Sequence, residues 1–296
     1  MSTAAVEPAG GGSHEAWEAG PTVARMVLGA QLRRLREADG YSRDEAGDAL
    51  CRTGAWIRDL ELGRARLALR DVAALCTAYG LTDRAARATL LGLARQANAP
   101  GWWSAFQDVI PPWSEAYIGL EQSASVIRTY ETQIVPELLQ TEAYARALLA
   151  RRHSERDAER IVRLRMRRQG ILHRTRPVRL WAVIDEAALR RAFGSRPVAF
   201  GQLEHLIDMC DLAHVTLQVL PLDAEAPAVS GGTFTLLRPP ERELPDVVYV
   251  QRLNGAMYPA DADAVASYWH AMNRLVLKAA PARSTQPILL RILRGL

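Results

Sequence analysis

The sequence is poor in the residues that build metal centres and covalent cross-links. Its three cysteines, Cys51, Cys76 and Cys210, stand at unrelated spacings, which gives neither a disulfide framework nor a metal knuckle. The six histidines contain no HxxxH or HExxH pair, so the zinc-hydrolase signatures are missing. No apolar run approaches the ~20 residues needed to cross a bilayer. The first 22 residues, with AGGGSHEAWEAG, lack the basic and apolar regions of a secretory leader. Residues 1–23 read as a flexible tail. These absences predict a reduced cytoplasmic location with no membrane association, no metal and no cofactor. A strong excess of one charge is missing too: 37 basic residues against 33 acidic ones leave a net charge of +4. That permits nucleic-acid binding without demanding it.

What is present is an ordinary globular composition, 49% apolar and 24% charged over 296 residues, long enough for two domains. The positive charge is uneven. Residues 151–176 carry ten arginines against three acids, whereas residues 24–98 carry thirteen arginines against nine.

From Val27 the pattern is helical, with Leu28, Leu32 and Leu35 on one side and Arg33, Arg34 and Arg36 on the other. Ser42 with Glu45 three residues later makes a capping box for a second short helix. Thr53 caps a third, which Gly63 closes, and LRDVAALCTAYG is a fourth. Thr82 opens a fifth. NAPGWW then marks a linker, and IPPW a further irregular piece. Beyond it, helices are predicted at 141–150, 156–173, 185–193, 200–213 and 262–279. Strands are predicted at VRLWAVI, VTLQVLP, GTFTLL and VVYVQ, which are rich in β-branched and aromatic residues. The fold class is therefore a mostly α, five-helix domain at 24–98, followed by an α+β domain with a small sheet at 101–284. Residues 285–296 read as a C-terminal tail or strand.

LRRLREADGYS, DLELGR and DVAALCTAYGL, in that order and spacing, make residues 31–80 resemble the XRE/Cro-type helix-turn-helix. The resemblance implies that the third helix lies in the major groove of double-stranded DNA and that the start of the second touches phosphate. It implies backbone contacts for Arg43, Arg64 and Arg66, and beside these Arg52, Thr53, Trp56 and Arg58 are read as the further DNA contacts. It also implies a structural role for Glu61. The reading end departs from the family: Gly54, Ala55 and Trp56 stand where polar residues are usual, and Gly and Ala carry no groups to match a base edge. Asp59 stands near a position that is commonly basic. Ala46 and Gly47 replace a leucine–alanine pair, Gly47 at a cost of ~1 kcal/mol in a helix.

GWW, YIGLEQSAS, YETQIVPELLQTEAYARALL, RRQGIL, VIDEAALRR, QLEHLIDMC, VTLQVLP and PDVVYVQ resemble, nearly end to end, an antitoxin-like domain that follows such helix-turn-helix units in many actinobacterial regulators. The resemblance implies response to a small companion protein or a small-molecule effector. Relatives usually have glycine at the position of Glu137.

Trp102, Trp103, Trp113 and Tyr117 crowd the junction, either as a ligand or partner pocket or as glue between the domains. Glu121, Arg128 and Glu131 read as one helical charge set. Asp185 suits an N-cap better than a catalytic acid. His205 and His214 lack supporting carboxylates, and Ser230 lacks a nucleophile-elbow frame. Arg156, Arg160, Arg163 and Arg167 share a helix face, either a solvated surface or an electropositive patch. With no catalytic residue found, the sequence predicts a homodimeric transcriptional regulator rather than an enzyme. The rival is a degenerate helix-turn-helix protein repurposed as a small-molecule binder or an unorthodox enzyme of a biosynthetic pathway.

Overall fold

A computed structural model of the chain describes residues 21–65, 67–191, 194–224, 232–259 and 261–296. The amino-terminal unit is helical throughout, as expected: α1 (Pro21–Ala38), α2 (Arg43–Asp48), α3 (Gly54–Glu61), α4 (Leu69–Ala78) and α5 (Arg84–Asn98). Leu28 and Leu32 of α1 close with Ile57, Leu60, Val72, Leu75 and Leu90 into one core. Asp83, not Thr82, caps α5, its carboxylate accepting from the Ala85 and Ala86 amides.

The first helix starts at Pro21, inside the segment read as tail. Proline suits the first turn, where its missing N–H is no loss, and Val23 and Ala24 are fully buried. At about 27 Å for its 18 residues, α1 serves both units. Leu28 and Leu32 hold the helical core, while Met26 packs against the core of the second unit.

The second unit opens with α6 (Pro112–Ser123) and β1 (Val126–Glu131), then α7 (Glu142–Leu149), α8 (Glu155–Gln169) and β2 (Arg179–Asp185). It continues with α9 (Glu186–Arg190), α10 (Arg196–Met209), β3 (Val215–Leu220), β4 (Phe234–Arg238), β5 (Val247–Arg252) and β6 (Gly255–Met257). α11 (Ala262–Lys278) and α12 (Thr285–Arg294) end it. The six strands form one mixed sheet in the order β3-β2-β1-β4-β5-β6, with β1, β2 and β3 parallel and the rest antiparallel. Helical crossovers follow β1 and β2, the connection a parallel pair requires. Leu180, Ala182 and Ile184 of β2 face one core layer with Leu206 and Leu289, and Val183 faces the other with Phe234, Met272 and Leu275.

All four expected strands are present, and two more were not foreseen. VIRTYE is the central strand β1, so Glu121, Arg128 and Glu131 are not one helical set: Glu121 is on α6, the other two on β1. α10 starts at Arg196, four residues before the expected boundary. Residues 285–296 are not a tail or strand but carry α12, whose Ile288, Leu289 and Ile292 are buried. This segment also covers the sheet edge. The Ala280 amide donates to the Val219 carbonyl at 2.9 Å and Thr285 Oγ1 to the Leu217 carbonyl at 2.6 Å, so β3 does not present a free row of acceptors. Arg66, Phe193 and Ser230 lie outside the described residues.

Candidate nucleic-acid interface

The helix-turn-helix is built from two short capped helices. Ser42 Oγ accepts from the Glu45 amide and the Ser42 amide donates back to Glu45 Oε2 at 2.7 Å, so the capping box forms as read. Thr53 Oγ1 accepts from the Trp56 amide at 3.3 Å and starts α3. After Leu62, Gly63 has a positive φ of 69° and the Arg64 amide donates to the Asp59 carbonyl at 2.7 Å. That double-bonded ending stops the helix and aims the chain toward Arg64.

Two glycines that look costly by helix propensity are demanded by packing. A Cβ on Gly47 would sit 2.5 Å from the Arg52 carbonyl oxygen, because the turn folds back over α2. A Cβ on Gly54 would collide with the carboxylate of Asp44. Gly54 is thus buried beneath α2 rather than presented to a base. Trp56 is half-buried against the helical core. Ala55 and, in its last turn, Arg58 are the exposed residues of α3, with Arg52 and Thr53 exposed just before it.

The charges around this surface are organised by one buried carboxylate. Glu61 accepts from Arg36 Nε at 2.5 Å and from Arg43 Nε at 3.1 Å, and donating to Glu61 raises the Arg36 pKa. Arg43 stays 43% exposed, so its terminal nitrogens remain open to phosphate while its stem is held. Arg36, Glu37, Arg43, Asp44, Gly54, Ala55 and Arg58 line an open cleft of about 640 Å³. Of these, Arg36, Glu37 and Asp44 had not been singled out; nothing in their local pattern separates them from ordinary helix-surface charges.

The remaining candidates are placed as follows. Arg52 lies over the Trp56 ring at 5.4 Å. Arg58 pairs with Asp59 at 3.2 Å. Arg64 Nη2 donates to the Tyr258 carbonyl at 3.0 Å, across to the second unit. A second exposed bridge, Arg34 to Glu243 at 3.0 Å, spans the same divide.

The junction aromatics are linked, with Trp102 and Tyr117 both packed against the Trp103 cluster. Trp103 is buried with Ile118 and Leu164, and Trp102 meets it edge to face at 6.0 Å. Tyr117 stacks on Tyr249 at 4.2 Å, and its hydroxyl is pushed well above its usual pKa by burial. Trp113 is exposed, and its carbonyl accepts from Tyr258 Oη at 2.7 Å.

Beside Tyr117 the chain buries an ionic network. Arg168 donates to both oxygens of Glu121 at 2.7 Å and to Glu137 at 2.6 Å, while Arg165 donates to Glu137 at 2.5 Å and to Gln140 at 2.6 Å. Burial pushes the Glu137 carboxyl up, but Arg165 and Arg168 together outweigh it and bring it down to about 2. The arginine helix α8 therefore has two jobs: Arg165 and Arg168 point inward, and Arg156 and Arg163 are exposed. On the same outer face, Arg160 pairs with Asp108 at 2.6 Å and Arg167 lies over Trp102 at 4.5 Å. Asp185 caps α9, accepting from the Ala187 amide at 2.8 Å, and His214 Nε2 lies 2.9 Å from the Leu172 carbonyl.

Two short capped helices joined by a tight turn, followed by a sheet domain, define a helix-turn-helix unit with an appended α+β domain. Comparison with known families agrees. Residues 27–90 match the family described as a helix-turn-helix domain. Residues 114–291 match the family described as a domain of unknown function (DUF5753), and since that match spans more than half of the chain, the protein belongs to this family. No curated protein and no solved structure matches the chain. Among the described residues, no helix is long and apolar enough to cross a membrane, and no group of His, Cys, Asp and Glu could hold a metal ion.

Proposed function

We propose that the chain is an XRE-type transcriptional regulator of the cytoplasm. It binds a two-fold operator as a homodimer, and its second domain receives a partner protein or a small-molecule effector, in the antitoxin-like manner of actinobacterial regulators. It carries out no catalysis of its own. The observation that carries this reading is the open face of the helix-turn-helix: Arg52, Thr53, Ala55 and Arg58 are exposed on or just before α3, with Arg43 half-free beside them. Arg43 and Arg64 supply phosphate contacts, Arg52 and Arg58 reach toward base edges, and Trp56 braces the helix. The helix α1, shared by both cores, couples the two domains mechanically.

Four observations together favour a second reading. Gly54 is buried, Trp56 packs inward, Arg58 is paired with Asp59 and Arg64 is bound to the second domain. A helix-turn-helix so occupied suits a protein that keeps the module as scaffold and acts through its second domain, as a small-molecule binder or an enzyme.

A mobility-shift titration separates the two. Full-length protein is titrated on the DNA upstream of its own gene and on scrambled DNA at about 150 mM salt. Regulation predicts specific binding tens to thousands of times tighter than scrambled. Equal binding to both, erased by salt, overturns it and favours the scaffold.

A further inference from the structure

The sheet face under α11 carries a cation without a counter-ion. Arg128, in the central strand, lies between two indole rings, its guanidinium carbon 4.7 Å from the Trp181 ring and 4.9 Å from the Trp269 ring. Its Nη1 donates to Asn273 Oδ1 at 3.1 Å, while its Nε is buried without an acceptor. Among the described residues it makes no salt bridge. Its neighbour Arg238, also 4.9 Å from the Trp269 ring, is by contrast ion-paired, its Nε and Nη2 donating to Asp246 at 2.8 and 2.7 Å. Burial and the charge of Arg238 both lower the Arg128 pKa, the mark of a cation short of compensation.

The surroundings mix half-buried indoles with exposed polar and apolar side chains. Trp269 and Asn273 lie on one stripe of α11, and Leu277, one further step of four along it, is 83% exposed. Arg179 is the register partner of Val126, two residues before Arg128, so it stands on the same sheet face, also exposed. Two tryptophans and an arginine beside an exposed leucine are the composition of an interface hot spot.

We propose that this surface docks an acidic segment of a protein partner, with one aspartate or glutamate seated on Arg128 between Trp181 and Trp269. A carboxylate accepts from guanidinium donors that are already fixed in place, so little side-chain freedom is lost on binding. Duplex DNA fits less well, because the exposed neighbour Leu277 offers a phosphate chain nothing, whereas a peptide can set a carboxylate on Arg128 and an apolar side chain on Leu277. The inference deepens the partner-receiving role proposed for the second domain and rests on it, but not on the DNA-binding role of the first.

The test uses full-length protein and a dye-labelled twelve-residue peptide of alternating glutamate and leucine, read by fluorescence anisotropy. Binding by the native chain that weakens by about tenfold or more in Arg128→Gln supports the proposal. Arg128→Lys, which keeps charge but not the planar stack, should weaken it less than Arg128→Gln. If Arg128→Gln fails to fold, Leu277→Glu on the exposed rim replaces it, with the same loss expected from charge repulsion. No binding, or equal binding by native and variant chains, overturns the proposal. Competition by free glutamate, or by random duplex DNA, as effective per carboxylate or phosphate as the unlabelled peptide also overturns it, in favour of a small anion or nucleic acid. The mobility shift of the Arg128 variants is measured in parallel. Intact DNA binding with lost peptide binding places the effect in the second domain alone, and lost DNA binding in the native chain leaves the peptide result to stand by itself.

Discussion

Arg43 and Glu61 meet at 3.1 Å across the helix-turn-helix, on a carboxylate that Arg36 already holds from α1 at 2.5 Å. One buried acid thus locks the first helix to the second and third. Removing it strands the buried guanidinium of Arg36, and Glu61→Ala should cost about 3 kcal/mol of stability, measured by urea unfolding. Arg43→Ala removes only the half-exposed arm and should cost no more than about 1 kcal/mol. Its larger effect is expected on DNA: weaker binding to all sequences, with the salt slope smaller by about one. An unchanged slope would take Arg43 off the phosphate.

Gly47→Ala sets two effects against each other. Helix propensity favours alanine by ~1 kcal/mol, but the new Cβ would lie 2.5 Å from the backbone oxygen of Arg52, which cannot swing away. Overpacking should win, with a net loss of about 1–3 kcal/mol. At Gly54 the colliding group is the exposed side chain of Asp44, which can turn outward. Gly54→Ala should therefore lose less than Gly47→Ala. Thermal melts of both variants check the order, and a stabilised Gly47→Ala would mean that the turn is loose.

The helix-turn-helix was legible because its signals are local. Ser42 with Glu45, Thr53 and Gly63 each act within a few residues of where they stand, and each acts as read. β1 was hidden because VIRTYE carries two charged residues and follows α6 closely, so its charges fitted helical spacing as well as a strand. α12 was hidden because ILLRIL is a short apolar run, which periodicity assigns to helix or strand equally. The ionic network was illegible for another reason. The helical period separates Arg165 and Arg168 from the outward arginines of α8, but Arg168 and Glu121 are 47 residues apart and Arg165 and Glu137 are 28, so no local pattern names their partners.

Arg64 offers a direct reading of how the domains cooperate. In this conformation it donates to the Tyr258 carbonyl rather than facing free solvent alone. If it turns to phosphate when DNA binds, Arg64→Ala should lower affinity for specific and scrambled DNA alike and reduce the salt slope by about one. If it stays on Tyr258, DNA affinity should hold and only the domain contact should loosen, seen as faster amide exchange around Tyr258. The first outcome is expected.

Glu137 answers to acid. Its carboxyl, brought down to about 2 by Arg165 and Arg168 against the cost of burial, stays charged in the folded chain at pH values where the unfolded chain takes up a proton. It therefore contributes stability above its ordinary value of 4.5, and that contribution is lost as pH falls toward 2. Glu137→Ala should remove about 3 kcal/mol at pH 7, since it leaves two buried guanidinium groups short of an acceptor. Unfolding of native and variant chains from pH 7 down to 3 should converge as the native contribution disappears; parallel curves would deny the ion pair.

Glu131 should act in the opposite sense. At the carboxyl end of β1 it accepts from Thr233 Oγ1 at 3.1 Å, but burial outweighs that bond and pushes its carboxyl up to about 8. Above about 4.5, the ordinary value, the unfolded chain releases this proton while the folded chain keeps it. Over that interval the folded state binds more protons, so stability falls as pH rises, by up to about 1.4 kcal/mol per pH unit from this one group. Glu131→Gln keeps the shape and a hydrogen-bonding oxygen while removing the titration. The variant should be more stable than the native chain near pH 8 and close to it near pH 5. Because Glu137 is already ionised in both states across this window, its contribution cancels from the comparison. Chemical denaturation of both chains at pH 5, 6.5 and 8 measures the difference directly. A gap that does not widen with pH would mean that Glu131 is ionised where it sits, and that the end of β1 is open to water.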